Sequence, residues 1–298
     1  MTNVFAETRD DQAVHALASP LLTIRHGQDQ YASGTAVVVG AGYALTAYHV
    51  LADFVERYEG VRNVSAHLNI TFEIFMYLTV DQGKSQIPLK VLRAWNSPPL
   101  DLALLAFGVP QDFPDTHRWT MPRLTLRPPK VGTRIAAFGF PNSELKALEQ
   151  PNSYSLDVHA RTSTGVVQEI HHERRDLARM PFPCFRTDAR YDGGMSGGPI
   201  FDDSGHLCGI VCSSLPPFEE GESHTSYGCS LWPMVGILLD SASPTGSGGD
   251  YRPVMQLFRE RSLSAVDLDQ VTLDIGLGGE RIPQVSYQGH VWQSGRGA

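Results

Sequence analysis

Short apolar runs separated by glycine and proline dominate the chain between about residues 21 and 232. Runs of this length, bounded by turn residues and rich in β-branched and aromatic side chains, are typical of β-strands. Six of them in the first part of the chain predict strands at 21–26, 35–39, 43–47, 72–80, 87–95 and 101–107.

A second set of strand-like runs follows a proline-rich connector at 109–130. These runs predict strands at 134–138, 161–170, 184–189, 198–201, 207–213 and 226–231. Two sets of short, evenly spaced strands indicate an all-β architecture, either a pair of barrels or one large sandwich.

The pattern changes after residue 232. Residues 233–240 predict a short helix, and the Ser/Gly-rich stretch 241–249 predicts a flexible linker. Val254, Leu257 and Phe258 have helical spacing, so we expect an amphipathic helix docked on the protein's own surface. The predicted organisation is an N-terminal extension (1–20), a first barrel (21–115), a second barrel (116–240) and a linker with a C-terminal extension (241–298).

Charge and composition narrow the possible partners. The chain has 24 Lys+Arg and 32 Asp+Glu, a formal net charge of −8, which disfavours nucleic acid binding. No apolar run approaches the roughly 18 residues needed to span a bilayer, and the N-terminus lacks a secretory pattern. We therefore expect a cytoplasmic protein, in which Cys184, Cys208, Cys212 and Cys229 are reduced thiols packed in a core.

Three motifs carry candidate chemistry: TAYHV around His49, LDLALL around Asp101, and GGMSGGP around Ser196. A serine hydroxyl attacks a carbonyl only when a base takes its proton, and that base needs an orienting partner. The order His49, Asp101, Ser196 is that of the chymotrypsin arrangement, and it differs from the orders in α/β-hydrolases and subtilisins. Gly194 permits a turn in which its own N–H and that of Ser196 face one point, as an oxyanion hole requires.

The chain resembles the trypsin-like serine peptidases, and the HtrA/DegP-like branch more than the digestive one. The resemblance rests on SGTAVVVGAGYALTAYHV (33–50), DLALL (101–105), VGTRIAAFGFP (131–141), TSTGVV (162–167) and RTDARYDGGMSGGP (186–199). It implies a chymotrypsin-like fold of two six-stranded antiparallel β-barrels, without a PDZ domain and with a short helix-containing C-terminal extension. It also implies an active site in the cleft between the barrels, with His49 as general base, Asp101 as its orienter and Ser196 as nucleophile.

One position departs from the family pattern. Trypsin-type zymogens have Asp before the serine and HtrA-type enzymes usually have Asn, whereas this chain has Met195. Activation by burying a newly cut N-terminus is therefore not expected.

Specificity is weakly encoded in the sequence. By resemblance, the strand containing Cys212, Ser213 and Ser214 pairs with the substrate backbone, and Arg190 lies near the primary specificity pocket. If Arg190 points inward, it favours an acidic residue before the scissile bond or fills the pocket; if it points outward, it leaves specificity unchanged. The run His171–Arg175 predicts a solvated loop rather than a metal site.

The expected function is that of a serine endopeptidase with a regulatory or quality-control role. Its partners would be a protein or peptide substrate and an activating protein, with no nucleic acid, membrane, metal or organic cofactor. The alternative is a latent or inactive protease-fold binding module that acts through a partner surface.

Overall fold

The computed structural model describes most of the chain. The described residues are 4–7, 16–25, 30–80, 85–97, 99–115, 117–147, 154–215, 217, 223–240, 251–276 and 283–293. The first element is a short strand, β1 (Val4–Glu7).

The first barrel is closed and has six antiparallel strands. It consists of β2 (Ala18–Arg25), β3 (Gln30–Gly40), β4 (Tyr43–Thr46), β5 (Phe72–Val80), β6 (Ser85–Asn96) and β7 (Ala103–Phe107). Their order is β2-β3-β4-β7-β6-β5, and pairing between β5 and β2 closes the cylinder. Along β5 every second residue is buried, because alternate side chains of a barrel strand point into its core.

The second barrel is built in the same way. Its strands are β8 (Arg134–Gly139), β11 (Arg161–His171), β12 (Cys184–Thr187), β13 (Pro199–Phe201), β14 (Leu207–Leu215) and β15 (Thr225–Ser230). Strand β11 also pairs with β8, which closes the ring β11-β12-β15-β14-β13-β8. The predicted pair of six-stranded antiparallel barrels is confirmed.

Several elements lie outside the two predicted strand sets. Strand β1, within the stretch predicted as an extension, pairs with β11 and so adds an outer strand to the second barrel. A hairpin of β9 (Glu144–Ala147) and β10 (Tyr154–Asp157) follows β8. Helices α1 (Tyr48–Glu59) and α2 (Val64–His67) connect β4 to β5.

Helix α1 was not predicted, although its sequence carries a signal for it. Val50, Leu51, Phe54 and Val55 are all buried, and their spacing of one, three and four residues is that of one helix face. The helix ends at Gly60, which adopts the left-handed conformation with φ +71° that commonly terminates helices.

The C-terminal extension is a folded layer. A 3-10 helix (Trp232–Gly236) precedes β16 (Leu238–Asp240), so the short helix predicted for 233–240 is confirmed only in its first half. The chain becomes extended at Ile237 and pairs with β17 (Tyr251–Pro253). Then follow α3 (Met255–Arg259), a 3-10 turn (Leu268–Gln270), β18 (Val271–Ile275), β19 (Pro283–Tyr287) and β20 (His290–Gln293). The predicted linker 241–249 lies outside the described residues.

The helix after residue 250 is confirmed, and it docks on the protein itself. Val254, Leu257 and Phe258 are buried in the main apolar cluster together with residues of the first barrel. Asp267, which is 6% exposed, accepts hydrogen bonds from the Thr125 hydroxyl and from two backbone N–H groups at 126 and 127. The extension is thereby fastened to the connector between the barrels.

Two further expectations concern chemistry and environment. Cys184, Cys208, Cys212 and Cys229 are all buried free thiols, as predicted. Among the described helices, none combines the length and apolarity needed to cross a bilayer.

Candidate active site

His49 and Asp101 are brought together by strand pairing within the first barrel. His49 lies in the first turn of α1, three residues after Thr46, the last residue of β4. Asp101 lies two residues before Ala103, the first residue of β7. Since Thr46 and Ala103 are direct partners in the ladder, the two segments leave the barrel side by side.

The carboxylate of Asp101 holds His49 through both of its oxygens. One accepts the backbone N–H of His49 at 2.8 Å, and the other lies 2.7 Å from Nδ1 of the ring. A carboxylate only accepts hydrogen bonds, so Nδ1 carries the hydrogen and Nε2 of the neutral ring has a free lone pair. The arrangement therefore leaves Nε2 able to accept a proton.

The surroundings of His49 also favour proton uptake. Burial by itself lowers the pKa of the imidazole, but the charge and hydrogen bond of Asp101 and the charge of Asp53 outweigh it. The net effect raises the pKa of His49 above its usual value of 6.5. A base with a raised pKa binds a proton more strongly at neutral pH.

A thiol from the second barrel completes the surroundings of Asp101. The Cys212 S–H donates to the same carboxylate oxygen as the His49 ring, at 3.1 Å, and Cys229 lies close by. These three side chains place their ligand atoms within 4.8 Å of one another, but metal binding needs thiolates. The neighbouring Cys229 thiol and burial raise the pKa of Cys212 well above its usual value, and burial raises that of Cys229 to about 11. The cluster therefore fits hydrogen bonding better than metal coordination.

Ser196 lies in a tight turn between β12 and β13. Gly194 has φ +96°, and a Cβ there would lie 2.6 Å from the carbonyl oxygen of Phe140, so the turn requires glycine. The side chain of Met195 is fully buried in the core of the second barrel and anchors the turn. Within the described chain, the N–H groups of Gly194 and Ser196 donate to no protein acceptor. Both N–H groups are thus available for an anion.

Thr35, on β3 of the first barrel, fastens this turn across the barrel interface. Its hydroxyl donates to the carbonyl of Gly194 at 2.8 Å and accepts the N–H of Phe140 at 3.2 Å. Its own N–H donates to the carbonyl of Ser196 at 2.9 Å, and its carbonyl accepts the Thr46 hydroxyl at 2.8 Å. One residue therefore links the histidine strand to the serine turn.

The candidate catalytic groups meet in one small cavity. A cavity of about 210 Å³ is lined by His49, Gly194 and Ser196, together with Ser33 and Phe54. No hydrogen bond joins His49 to Ser196 among the described residues, although such bonds in proteases commonly shorten only when substrate binds. The fold thus brings His49, Gly194 and Ser196 to one cavity, with Asp101 hydrogen-bonded to His49.

The predicted substrate-binding residues are divided between two places. Cys212 and Ser213 line a second cavity of about 560 Å³, which also includes His49 and Asp101. The neighbouring Ser214 faces away and shares a hydrogen bond of 2.8 Å with the hydroxyl of Ser226.

Arg190 lines neither of these cavities. Its side chain is 44% exposed, forms two hydrogen bonds of 2.8 Å with Asp192, and stacks 4.4 Å from the ring centre of Phe5 on β1. This placement corresponds to the outward orientation of Arg190. Its effect on specificity stays a prediction.

Sequence reasoning missed three groups of residues at this site. Thr35 lies within the SGTA motif, but no local signal reveals its bonds to residues 140 and 194. Phe5 lies in a short strand that pairs with residues more than 150 positions away. Arg175 was assigned to a solvated loop, yet together with Arg62 and Arg179 it lines the larger cavity.

Comparison with known proteins identifies a family. The model of the trypsin-like peptidase domain matches residues 34–210, which is more than half of the chain. No curated protein sequence matches the chain.

Solved structures resemble this one at low sequence identity. The structure of Deg5 is 19% identical with a TM-score of 0.49, over 74% of this chain and 87% of that chain. The active form of the Rv3671c protease from M. tuberculosis is 16% identical (TM-score 0.46; 74% and 78% covered). The MamO protease domain from Magnetospirillum magneticum is 18% identical (TM-score 0.45; 75% and 96% covered).

Proposed function

The chain belongs to the trypsin-like peptidase family, and on that premise we propose that it is a serine endopeptidase acting through a His-Asp-Ser triad and an acyl-enzyme. One observation carries the proposal: the Asp101-bound imidazole of His49 lines the same cavity as Ser196 and Gly194. A base, a hydroxyl and two free amide N–H groups around one space are the parts that acyl transfer needs.

In the first step, Ser196 Oγ attacks the substrate carbonyl carbon while Nε2 of His49 takes the hydroxyl proton. Asp101 keeps the hydrogen on Nδ1, so that Nε2 is free to accept, and its charge stabilises the imidazolium that forms. The carbonyl oxygen becomes an oxyanion, which the N–H groups of Gly194 and Ser196 stabilise. Loss of one such donor costs roughly 3 to 4 kcal/mol in related sites.

In the second step, the carbon–nitrogen bond breaks and the imidazolium of His49 gives its proton to the leaving amine. The acyl group is then an ester on Ser196. Water attacks this ester with His49 again as base, which releases the carboxylic acid and restores the hydroxyl. Each proton that His49 takes up is released again within the cycle, so His49 carries out every proton transfer.

Beyond Ile210, β14 has one edge without a strand partner among the described residues, and this edge offers a place for the substrate backbone. From Ser213 to Leu215 this strand pairs with β15 on one side, while β13 pairs with β14 only up to Ile210 on the other. An extended peptide can add to such an edge by main-chain hydrogen bonds. This supports peptide as the substrate class.

The proposal extends to the biological setting. We assign the enzyme to regulatory or quality-control proteolysis in the cytoplasm, with an activating protein as partner, and the support for these assignments is the sequence pattern. Met195, whose side chain is fully buried, supports a turn that is formed at rest.

A fluorophosphonate probe tests the mechanism, because it reacts with a serine only when the serine is activated. We expect the purified full chain to be labelled at Ser196, and labelling to be lost in Ser196→Ala and His49→Ala. Ser33→Ala is the matched control: Ser33 lines the same cavity, but its hydroxyl donates to the carbonyl of Leu21. This variant should be labelled like the wild type.

Two outcomes would contradict the proposal. Equal labelling of the wild type and the folded His49→Ala variant would remove His49 from the mechanism. A folded wild type that is not labelled and cleaves no member of a broad peptide library would favour the binding module instead.

A further inference from the structure

The cavity of about 560 Å³ beside His49 and Asp101 is more than the mechanism requires. Its walls come from four places: the segment around α1, the segment 96–101 between β6 and β7, the edge of β14, and the segment 175–182 between β11 and β12. Only the His49–Asp101 pair is used by the proposed chemistry. The remaining walls are available to recognise a part of the substrate away from the scissile bond.

The charged groups on these walls are mostly cationic. Among the described residues, three arginines line the cavity, Arg62, Arg175 and Arg179, against one acidic residue, Asp101. That carboxylate already accepts three hydrogen bonds, from His49 and from a thiol. In a chain of net charge −8, a cationic cavity runs against the overall charge, and a concave site concentrates the local field.

The three arginines differ in how far they are already paired. Arg62 lies 2.9 Å from Asp53 and 2.5 Å from Glu56, so its charge is largely compensated. The guanidinium of Arg179 has no acidic partner in the described part of the chain. Arg179 is therefore the cation best able to bind an added carboxylate.

The backbone that carries Arg175 and Arg179 is held in a fixed turn. Asp176 Oδ1 accepts the N–H groups of Ala178 at 2.9 Å and Arg179 at 2.6 Å. Arg175 lies over the ring of Tyr227, 4.7 Å from its centre, and 3.5 Å from the second oxygen of Asp176. Because the turn is already ordered by its own hydrogen bonds, the protein backbone loses less conformational entropy when a ligand binds there.

The direction of β14 decides which part of a substrate reaches this cavity. The strand leaves the Ser196 turn near Val211, whose N–H and carbonyl bond to residues 198 and 197, and runs outward to Leu215. A peptide added antiparallel to it runs from the Leu215 end towards Ser196. The residues near Ser213 and Leu215, which line the cavity, therefore face the part of the substrate N-terminal to the scissile bond.

We propose that this cavity is an acid-recognising subsite, in which Arg179 and Arg175 bind a Glu or Asp side chain of the substrate. Along β14 the cavity-lining residues extend to Leu215, four residues beyond Val211, and a paired strand advances at about the same rise, so the acidic residue lies within about four positions before the scissile bond. The proposal deepens the peptidase function and rests on it for the position of the scissile bond. It names the substrate class as peptides that are acidic on their N-terminal side.

Binding to the inactive Ser196→Ala full chain tests the subsite without requiring turnover. The probes are fluorescent alanine-based decapeptides that carry Glu, Gln or Lys at one scanned position. We expect fluorescence anisotropy to give about tenfold tighter binding for Glu than for Gln at the preferred position, and weaker binding for Lys. The preference should shrink when salt is raised from about 0.05 to 0.5 M, because salt screens charge.

Arginine variants in the same background locate the effect. Arg179→Gln should reduce the preference for Glu to about threefold, and Arg175→Gln with Arg179→Gln should abolish it. Arg174→Gln is the matched control, because Arg174 is exposed, carries the same charge and does not line the cavity. It should keep the full preference, and circular dichroism should report an unchanged fold for every variant.

The outcomes separate this proposal from the peptidase function. Equal binding of Glu and Gln peptides, no binding of either, or a preference that survives in the double variant overturns the subsite. Normal fluorophosphonate labelling with no acid preference overturns the subsite alone. Acid preference that depends on Arg179, without labelling of Ser196 in the wild type, overturns the peptidase function and leaves the cavity as a binding site for acidic peptides.

Discussion

The two barrels hold their candidate catalytic groups in different ways. In the first barrel, His49 and Asp101 leave adjacent strands, and hydrogen bonds of 2.7 and 2.8 Å join them directly. In the second barrel, the turn containing Gly194 and Ser196 depends on contacts from elsewhere in the chain. Thr35 of the first barrel donates a hydrogen bond to Gly194, and Phe5 of β1 stacks against Arg190, six residues before Ser196.

The His49–Asp101 pair is set by strand pairing within one barrel, whereas the Ser196 turn is set by contacts between the two barrels and with β1. The strand pairing forms whenever the first barrel forms. The turn needs both barrels and the N-terminal strand in place. We therefore expect changes around the turn to affect catalysis through its geometry, and changes within the pair to affect the chemistry directly.

The largest effect should come from Asp101→Asn, which keeps the shape of the first barrel but removes the charge. An amide no longer fixes the hydrogen on Nδ1 of His49, so kcat/KM for a cleaved peptide should fall by about 10³- to 10⁴-fold. Steady-state kinetics measure the loss, and thermal unfolding should show a folded protein. A fall of less than tenfold would contradict the role of Asp101 as orienter.

Thr35→Val should have the next largest effect, and it tests the link between the barrels. Valine keeps the shape but leaves the buried N–H of Phe140 and the carbonyl of Gly194 without the hydroxyl. We expect kcat to fall by about 10²-fold, with KM changing much less. The free energy of unfolding should fall by about 1 to 3 kcal/mol.

Thr35→Ser is the matched control, because it restores the hydroxyl. It should recover most of kcat. Equal losses in Thr35→Val and Thr35→Ser would attribute the effect to packing of the methyl group, and the contrast between the barrels would lose its main support.

A smaller effect should follow from Phe5→Ala, which removes the ring beneath Arg190. That arginine binds Asp192, whose carbonyl accepts the N–H of Met195 next to Ser196. The rate of fluorophosphonate labelling should fall about threefold, since the supporting stack is worth about 1 kcal/mol. Val4→Ala, at a residue 51% exposed on the same strand, should label at the wild-type rate. Equal rates for both variants would show that β1 does not support the turn.

The smallest effect concerns pH. His49 must be neutral to accept a proton, and its pKa is raised, so labelling should switch on with a midpoint above pH 6.5. Asp53→Asn removes one charge that raises this pKa and should move the midpoint down by about 0.3 pH units. Asp274→Asn, an exposed acid on β18, should not move it. A rise of the midpoint in Asp53→Asn would contradict the stated electrostatics.

The sequence was sufficient for much of the fold and for the catalytic candidates. Short apolar runs bounded by turn residues predicted all twelve barrel strands, because short strands joined by tight turns leave this pattern in the sequence. His49, Asp101 and Ser196 stand in motifs with a known chain order, so their convergence could be expected before the barrels were seen.

What the sequence could not predict depends on distant contacts. Strand β1 has four residues, too few for a periodic signal, and its partner β11 lies far along the chain. Arg175 and Arg179 sit in a polar segment that looks like an ordinary solvated loop. Only the structure shows that both residues line the cavity.

The hydrogen bonds of the Asp267 carboxylate bear on how far the cleft between the barrels can open. The carboxylate accepts hydrogen bonds from the connector at 125–127, while α3 of the same extension packs with residues of the first barrel, so the extension joins the first barrel to the connector. Moving the first barrel away from the connector would leave the buried Asp267 carboxylate without its hydrogen-bond donors. The free-energy cost of an unpaired buried carboxylate opposes this motion. We therefore expect substrates to enter as extended, unfolded segments, so that chain termini and flexible loops are cleaved before tightly folded proteins.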